Sequence, residues 1–260
     1  KGKATAVSNK TPVLVANAPK VESAGLYRRL SAEGIHEVII ENEHHSADFE
    51  DLSVADAETV IAMYKDRFTE ASTNLKVSLV TLFKNRGSAA GTTLEHSHAQ
   101  LVGSSVVPAA VRHRMDEAQR YFDQNAECVF CRIVEEEKKQ GARVIGENDH
   151  FIAFVLFAAL SPFHIWILPK RHTPSFTEIN DQESKALAAI MQTALKKLDA
   201  LGDPDYNFVI QSTPQDRGVT DAFHWYMGLV VRLGKVAGFE MGSGMFLNSV
   251  VPEEAAAFRN

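Results

Sequence analysis

The segment His96-Ser97-His98-Ala99-Gln100 sets three polar side chains at alternate positions. Along a strand, successive side chains point to opposite faces, so this spacing predicts His96, His98 and Gln100 on one face with Ser97 and Ala99 on the other. A neutral imidazole can bind a metal, act as a general base or attack as a nucleophile, and its ordinary pKa of about 6.5 keeps that form available at neutral pH. Gln100 can donate a hydrogen bond to a phosphoryl oxygen without changing charge. The same residues also suit a pair of packed or surface histidines, or an HxH metal site in a jelly roll, although the amphipathic helices read below count against an all-β fold. Directly upstream, Asn85-Arg86-Gly87-Ser88-Ala89-Ala90-Gly91-Thr92-Thr93 combines glycines with short hydroxyls. Such a loop lets backbone N–H groups approach an anion, and beside the histidines it reads as a phosphate cradle rather than an ordinary hairpin turn.

The elements that must hold these residues are legible from an internal repeat. His36-Glu37-Val38-Ile39-Ile40, then His45 to Phe49 and Leu52-Ser53, precede one helix. His164-Ile165-Trp166-Ile167-Leu168, then His172 to Phe176 and Ile179-Asn180, precede another, about 127 residues later. The first helix has Ser53 as its cap, Asp56 three residues on, and Ala57, Val60, Ile61, Tyr64 and Phe68 along one face. The second has Asn180 as cap, Glu183 three on, and Leu187, Ile190, Met191, Ala194, Leu195 and Leu198 along one face, ending before Gly202. Strands are predicted after each helix, over 76–83 and 206–211, each followed by a polar loop and a further strand containing histidine. This order predicts an α+β fold of two tandem halves, each an antiparallel sheet with a helix packed on one face. The divisions expected are residues 1–107, a linking segment 108–127 containing a polar helix from Ala109 to Asn125, and residues 128–260.

The repeat also brings distant metal-ligating groups together. The only two cysteines stand three apart, at Cys128 and Cys131, and the repeat adds His172 and His224. Two thiolates and two imidazoles make a closed tetrahedral zinc shell of the structural kind; a redox C-x-x-C or two buried thiols are the rival readings. By the same offset, His45 and His96 are the corresponding ligands of the first half. Their cysteine partners would fall at or before residue 4, where Lys1-Gly2-Lys3-Ala4 holds none, so that pair is expected upstream of residue 1 or the first site is incomplete. His98 falls on Tyr226, which leaves one candidate nucleophile, and so one active centre, per chain.

Composition bounds the function. The chain has 260 residues, enough for one large domain or two small ones, and its 45% hydrophobic and 23% charged residues exclude a disordered or collagenous protein. A net charge of −6 argues against a broad nucleic-acid face, since polyanion affinity rests on Lys and Arg displacing counterions. No apolar run approaches the roughly 20 residues of a membrane span, and residues 1–20 lack a signal-peptide core, so a cytoplasmic protein is expected.

Several stretches together resemble the galactose-1-phosphate uridylyltransferase family of the histidine-triad superfamily: Phe83-Lys84-Asn85-Arg86-Gly87 through Gln100, Cys128-Val129-Phe130-Cys131, Pro162-Phe163-His164 through His172, and Gly238-Phe239-Glu240-Met241-Gly242 with Pro252 to Ala256. The resemblance covers nearly the whole chain. It implies two histidine-triad-like halves and a ping-pong transfer of UMP between a nucleotide-sugar and a hexose 1-phosphate through a nucleotidyl-histidine. Carried over by position, His98 is the nucleophile, Gln100 and Asn85 hold phosphate oxygens within the Gly87 to Gly91 loop, and Thr93 contributes a hydroxyl. Asn17 matches a nucleotide-pocket asparagine, and Glu240 matches a hexose-binding glutamate that family homodimers place near the shared site. Ser97 stands where the uridylyl branch usually has proline, and the His-Ser-His wording with the Gly238-Phe239-Glu240 tail is similar to the branch that uses ADP-glucose. An adenylyl-transferring phosphorylase acting on ADP-glucose or a dinucleoside polyphosphate is therefore the alternative enzyme, and a non-catalytic nucleotide or metal binder the alternative outside enzymes. Gly228 and Val230 replace two histidines that some members use for a second metal, so zinc on Cys128, Cys131, His172 and His224 is the metal expected in that half. Ala18 stands where some members have Asp beside the asparagine.

Overall fold

Two capped amphipathic helices organise the chain. In the computed structural model, which describes residues 4–23, 25–45, 47–215 and 221–258, Ser53 Oγ accepts the Asp56 backbone N–H and starts α1 (Val54–Ser72). Asn180 and Glu183 form a reciprocal capping box at the start of α4 (Asp181–Asp199), with bonds of 2.9 Å each way. The predicted apolar positions are buried on both helices; α1 adds Ala71, and α4 adds Glu183, Ser184, Ala188 and Gln192. The two helices pack against each other on one side of a sheet, and Gln192 of α4 donates to the carbonyls of Phe49 and Leu52, closing the contact between the halves.

The first half contributes β1 (Thr5–Ser8), β2 (Gly34–Ile40), β3 (Leu79–Arg86) and β4 (His98–Ser104). A linking pair of helices follows, α2 (Ala109–Asn125) and α3 (Val129–Gln140). The second half contributes β5 (Val144–Glu147), β6 (Phe151–Val155), β7 (Ile165–Pro169), β8 (Tyr206–Gln211) and β9 (Tyr226–Val231), then the short helices α5 (Gly238–Ser243) and α6 (Pro252–Ala257). The halves do not keep separate sheets. Among the described residues, all nine strands form one antiparallel sheet in the order β1-β2-β4-β3-β8-β9-β7-β6-β5, joined at its centre where β3 pairs with β8.

That junction explains a shifted boundary. The strand expected over 76–83 begins instead at Leu79, because Asn74 holds Lys76 and Val77 in a turn. It runs on through the polar residues Lys84, Asn85 and Arg86 because Phe208, Asn207 and Tyr206 of the other half supply their backbone partners. Alternation along the strands then divides the molecule. Ile39, Leu82, Ala99, Leu101, Phe208, Ile210, Met227 and Leu229 face α1 and α4 in one continuous core. Each fully buried Ile, Leu, Phe or Met side chain among them contributes roughly 1.5–3 kcal/mol. Even-numbered residues of β2, β4 and β9 face the other way, and the candidate site lies on that side. Residues 1–3, on which the expectation about missing first-half cysteines fell, and Ser46 of the repeat lie outside the described residues. Among the described residues, no helix is long and apolar enough to cross a membrane.

Candidate functional site

β4 begins at His98, not at His96. The shared face expected for three polar residues therefore holds for His98 and Gln100 only, a correction to the spacing argument. His96 precedes the strand, turns its Nε2 to the Asn42 carbonyl at 2.7 Å and sets its ring 4.4 Å from that of His45. The repeat's pairing of His45 with His96 thus stands as a contact. Among the described residues, the two are not part of any cluster of three or more metal-ligating groups.

His98 is 7% exposed and lines a cavity of about 490 Å³ together with Asn85, Gly87, Thr93 and His96. Its Nδ1 lies 2.7 Å from the His96 carbonyl oxygen, which can only accept, so Nδ1 carries the proton. The neutral ring then has its lone pair on Nε2. One short backbone contact thereby fixes the tautomer that a nucleophile needs.

Behind that strand lies a charge cluster that sequence reasoning missed. Lys84, 1% exposed, donates to Glu41 Oε2 at 2.7 Å and Ser97 Oγ at 2.6 Å, and its Nζ lies 3.4 Å from Asp48 Oδ1. Tyr64 donates to the other Glu41 oxygen. Burial opposes the Lys84 charge, but Glu41 and Asp48 outweigh it and hold the ammonium protonated above its ordinary range. Burial likewise works against the Asp48 charge, yet Lys84 and Arg86 keep its carboxyl below the ordinary value. These residues anchor Ser97, the residue immediately before β4, and so hold the start of the strand at His98. A lysine inside a strand, followed by a polar Asn-Arg pair, was the available signal; its acidic partners lie 36 and 43 residues away in sequence.

The loop from Gly87 to Gly91 is less open than its composition suggests. Its N–H groups are largely used: Ala90 and Thr92 donate to the Gly87 carbonyl, Gly91 to Ser88, and Ala89 to Asp205 Oδ2 at 2.5 Å. Gly87 sits at φ +84°, and a Cβ there would lie 1.8 Å from Asp205 Oδ1, so glycine serves the approach of a protein carboxylate as well as the turn. The second half holds this loop at further points. Arg86 bridges Asp48 to Asp203, and Asn207 Nδ2 donates to Asn85 Oδ1 at 2.7 Å and to the Ala90 carbonyl at 2.9 Å. With its oxygen so engaged, Asn85 has its own amide N–H groups to offer the cavity.

Other expected site residues lie apart. Asn17 is exposed on the segment after β1 and is not among the residues lining the His98 cavity. Gly91 is exposed at φ +93° on the loop. Glu240 lines a second cavity of about 340 Å³ with Arg232, Lys235 and Asn207, and its carboxylate accepts the Ala237 N–H at 3.0 Å. Within one chain, therefore, the structure does not bring Glu240 into the cavity of His98.

The expected metal ligands do converge. Cys128, Cys131, His172 and His224 offer ligand atoms all within 4.8 Å of one another, with Cys131 Sγ 3.3 Å from His172 Nδ1 and 3.6 Å from His224 Nδ1. His224 is fully buried and Cys128 nearly so. Hydrogen bonding from Cys131 lowers the Cys128 thiol below its ordinary value, in the direction that thiolate ligation requires. Four soft or borderline donors, two of them buried and two partly buried, can hold a metal.

Comparison with known proteins agrees with this geometry. The N-terminal domain of galactose-1-phosphate uridyl transferase matches residues 5–108, and its C-terminal domain matches residues 114–258. The chain is 34% identical over 237 residues to an ADP-glucose phosphorylase of Arabidopsis thaliana, covering 89% of this chain and 66% of that protein. It is 27% identical over 259 residues to a galactose-1-phosphate uridylyltransferase of Thermotoga maritima, covering 95% and 81%. A crystal structure of an Arabidopsis thaliana ADP-glucose phosphorylase with bound ADP-glucose superposes at a TM-score of 0.88 with 30% identity, over 98% of this chain and 80% of that one. A structure of a uridylyltransferase gives 0.89 with 28% identity, over 98% and 84%. With one family domain matched on each half and the likeness running through β4, the Cys/His cluster and the tail, the chain belongs to the galactose-1-phosphate uridyl transferase family.

Proposed function

We propose that the chain is a nucleotidyltransferase that moves UMP between a nucleotide-sugar and a hexose 1-phosphate through His98. The observation that carries this reading is the His98 Nδ1 contact with the His96 carbonyl, which leaves a lone pair at Nε2 on a ring lining the cavity. In the first step Nε2 attacks the α-phosphorus, an N–P bond forms, and the bond from that phosphorus to the β-phosphate oxygen breaks, releasing hexose 1-phosphate. In the second, a phosphate oxygen of the incoming sugar phosphate attacks the same phosphorus and returns the electron pair to Nε2. A phosphate leaves without needing a proton, so a glutamine at position 100, which donates hydrogen bonds and does not titrate, suits the transfer. Gln100, Asn85 and Thr93 are the donors assigned to the phosphate oxygens, with Gly87 and Gly91 shaping the loop, Asn17 assigned to the nucleotide and Glu240 to the hexose.

A second reading is favoured by the 34% identity to an ADP-glucose phosphorylase. In that case the base is adenine, the acceptor is phosphate, and the covalent chemistry at His98 is the same. Intact mass after incubation with UDP-glucose or ADP-glucose tests both. The expected result is one nucleoside monophosphate added to the wild-type chain and none to His98→Ala, and the donor that labels identifies the base. Labelling by neither donor, or persisting in His98→Ala, overturns the reading.

Zinc is the metal inferred for Cys128, Cys131, His172 and His224, since thiolate and imidazole donors in a closed four-group shell match its preference. It would supply folding stability there, remote from the phosphoryl chemistry. Metal analysis giving one zinc per chain supports this. A homodimer that brings Glu240 of one copy towards His98 of the other belongs to the same reading, as does a cytoplasmic location, where the two thiols stay reduced.

A further inference from the structure

Gln100 can serve a phosphate only if its amide nitrogen, not its oxygen, faces the phosphate oxygens. The two ends of such an amide are alike in shape, but its partners decide between them. The partner here is His36 of β2. It is 8% exposed and lies on the same face of the sheet as His98 and Gln100, opposite Val102 in register.

The proton on this ring can be placed. The Val13 backbone N–H donates to His36 Nδ1 at 3.0 Å, so Nδ1 holds the lone pair and the neutral ring carries its hydrogen on Nε2. Nε2 lies 3.0 Å from Gln100 Oε1. Asn9 Nδ2 is also 3.0 Å from Nε2, but it is itself a donor, because Asn9 Oδ1 already accepts the Thr11 N–H at 2.9 Å. Gln100 Oε1 is therefore the acceptor for Nε2–H. Since Ile40 stands opposite His98, Val38 opposite Gln100 and His36 opposite Val102, the histidine holds the amide oxygen on the side of Gln100 remote from His98. The NH₂ end is left for the side where phosphate is assigned.

The second half carries the same device without its load. His164 Nδ1 accepts the Leu160 backbone N–H at 3.3 Å, as His36 Nδ1 accepts that of Val13. Trp166 pairs with Gly228 as Val38 pairs with Gln100, so Gly228 is the counterpart of Gln100. A Cβ at Gly228 would lie 3.7 Å from His164 Nε2. The histidine and its backbone contact recur, while the amide occurs only beside the nucleophile.

Resting on the nucleotidyl-transfer reading above, we infer that His36 is a positioning residue that latches the Gln100 amide with its N–H groups towards the phosphate, and that it ties this orientation to the 9–15 segment folded over it. A flipped amide would set its oxygen against phosphate oxygens, which repel it. The latch acts only through Gln100.

The experiment measures the single-turnover rate of nucleotidyl addition to His98, with whichever of UDP-glucose or ADP-glucose labels the wild-type chain, and the donor Kd alongside. His36→Leu is expected to slow addition roughly 10- to 100-fold with less than about a threefold change in donor Kd, somewhat below the 10²–10³ that loss of a whole preorganised donor costs. His36→Gln, whose amide can accept from Val13 and donate to Gln100, is expected to recover most of the rate. In a Gln100→Leu background, His36→Leu is expected to cost no further rate. A wild-type rate in His36→Leu, losses that multiply in the double variant, or failure of His36→Gln to recover despite wild-type thermal stability would each overturn the latch. If His36→Leu does not fold, the tautomer decides: ¹⁵N spectra of the wild-type chain should show His36 protonated at Nε2, and protonation at Nδ1 overturns the inference. Absence of labelling in the wild type would instead overturn the nucleotidyl-transfer reading itself.

Discussion

β4 and β9 occupy equivalent places in the two halves and have diverged in what they hold up from the sheet. On β4, His98 borders a cavity of about 490 Å³ flanked by the Asn85 loop, and Gln100 follows two residues on along the same face. On β9 the same positions are Tyr226 and Gly228, and α2 and α3 cover the face. Tyr226 stacks on Trp166 with ring centroids 4.3 Å apart and on Phe130 of α3 at 5.6 Å, within a cluster that includes Met115 and Ala118 of α2. The first half sets polar groups at its cavity, whereas the second lines the equivalent surface with packed aromatics, Phe130, Trp166 and Tyr226, which border a hollow of about 380 Å³, and gathers its metal-ligating groups into the Cys/His cluster. The lesson is a division of labour under the proposed function: the half with His98 is assigned the chemistry, and the other half supports it, with Asp203, Asp205 and Asn207 gripping the loop beside that histidine.

The largest expected effect tests whether the halves are truly unequal. His98→Ala should lower nucleotidyl addition by about 10⁴-fold or more, as loss of a nucleophile does. Tyr226→His in that background should restore none of it, because Gly228 supplies no amide and the aromatic stack covers the ring; intact mass is the measurement. An adduct on the double variant, carried by the histidine introduced in β9, would erase the proposed asymmetry. Next comes the metal cluster. Cys131→Ser, or removal of the metal by a strong chelator, should destabilise the chain by about 3 kcal/mol or more in denaturant titration, with metal content falling in step. Unchanged stability after verified metal loss would assign rigidity elsewhere.

A smaller effect concerns Glu50, in the turn before α1. Burial pushes its carboxyl up to about 7, and its Oε2 has no hydrogen-bond partner. Because the folded-state value lies above the ordinary 4.5, its contribution to stability is fully present below pH 4.5 and is lost as pH rises through 7. Glu50→Gln should therefore stabilise the first half at pH 8 by about 2 kcal/mol and do little at pH 4.5, read from thermal unfolding at both pH values. The smallest effect probes the grip of one half on the other. Asp205→Asn keeps the shape but weakens the bond to the Ala89 N–H, and should raise the donor KM by about fivefold, equivalent to roughly 1 kcal/mol, with kcat within about twofold. A fall in kcat alone would instead place Asp205 in the chemistry.

Local rules made much of this protein readable in its sequence. Ser53 and Asn180 announce their helices because a cap and the periodic face behind it depend on neighbouring residues alone, and both helices bury the side chains their spacing indicated. The repeat carried the reading further, since equal spacing in two copies implies equal placement. It brought His172 and His224 to Cys128 and Cys131, and His45 to His96. Tertiary structure alone decided the rest. That β3 would pair with β8 and merge the halves into one sheet depends on two strand edges meeting 120 or more residues apart. That Lys84 would find Glu41 and Ser97, that Asp205 would fill the loop read as a phosphate cradle, and that Val13 would set the tautomer of His36 all depend on partners no local pattern names. Periodicity tells which face a side chain takes, but a buried charge or a ring nitrogen takes its state from whatever the fold lays against it.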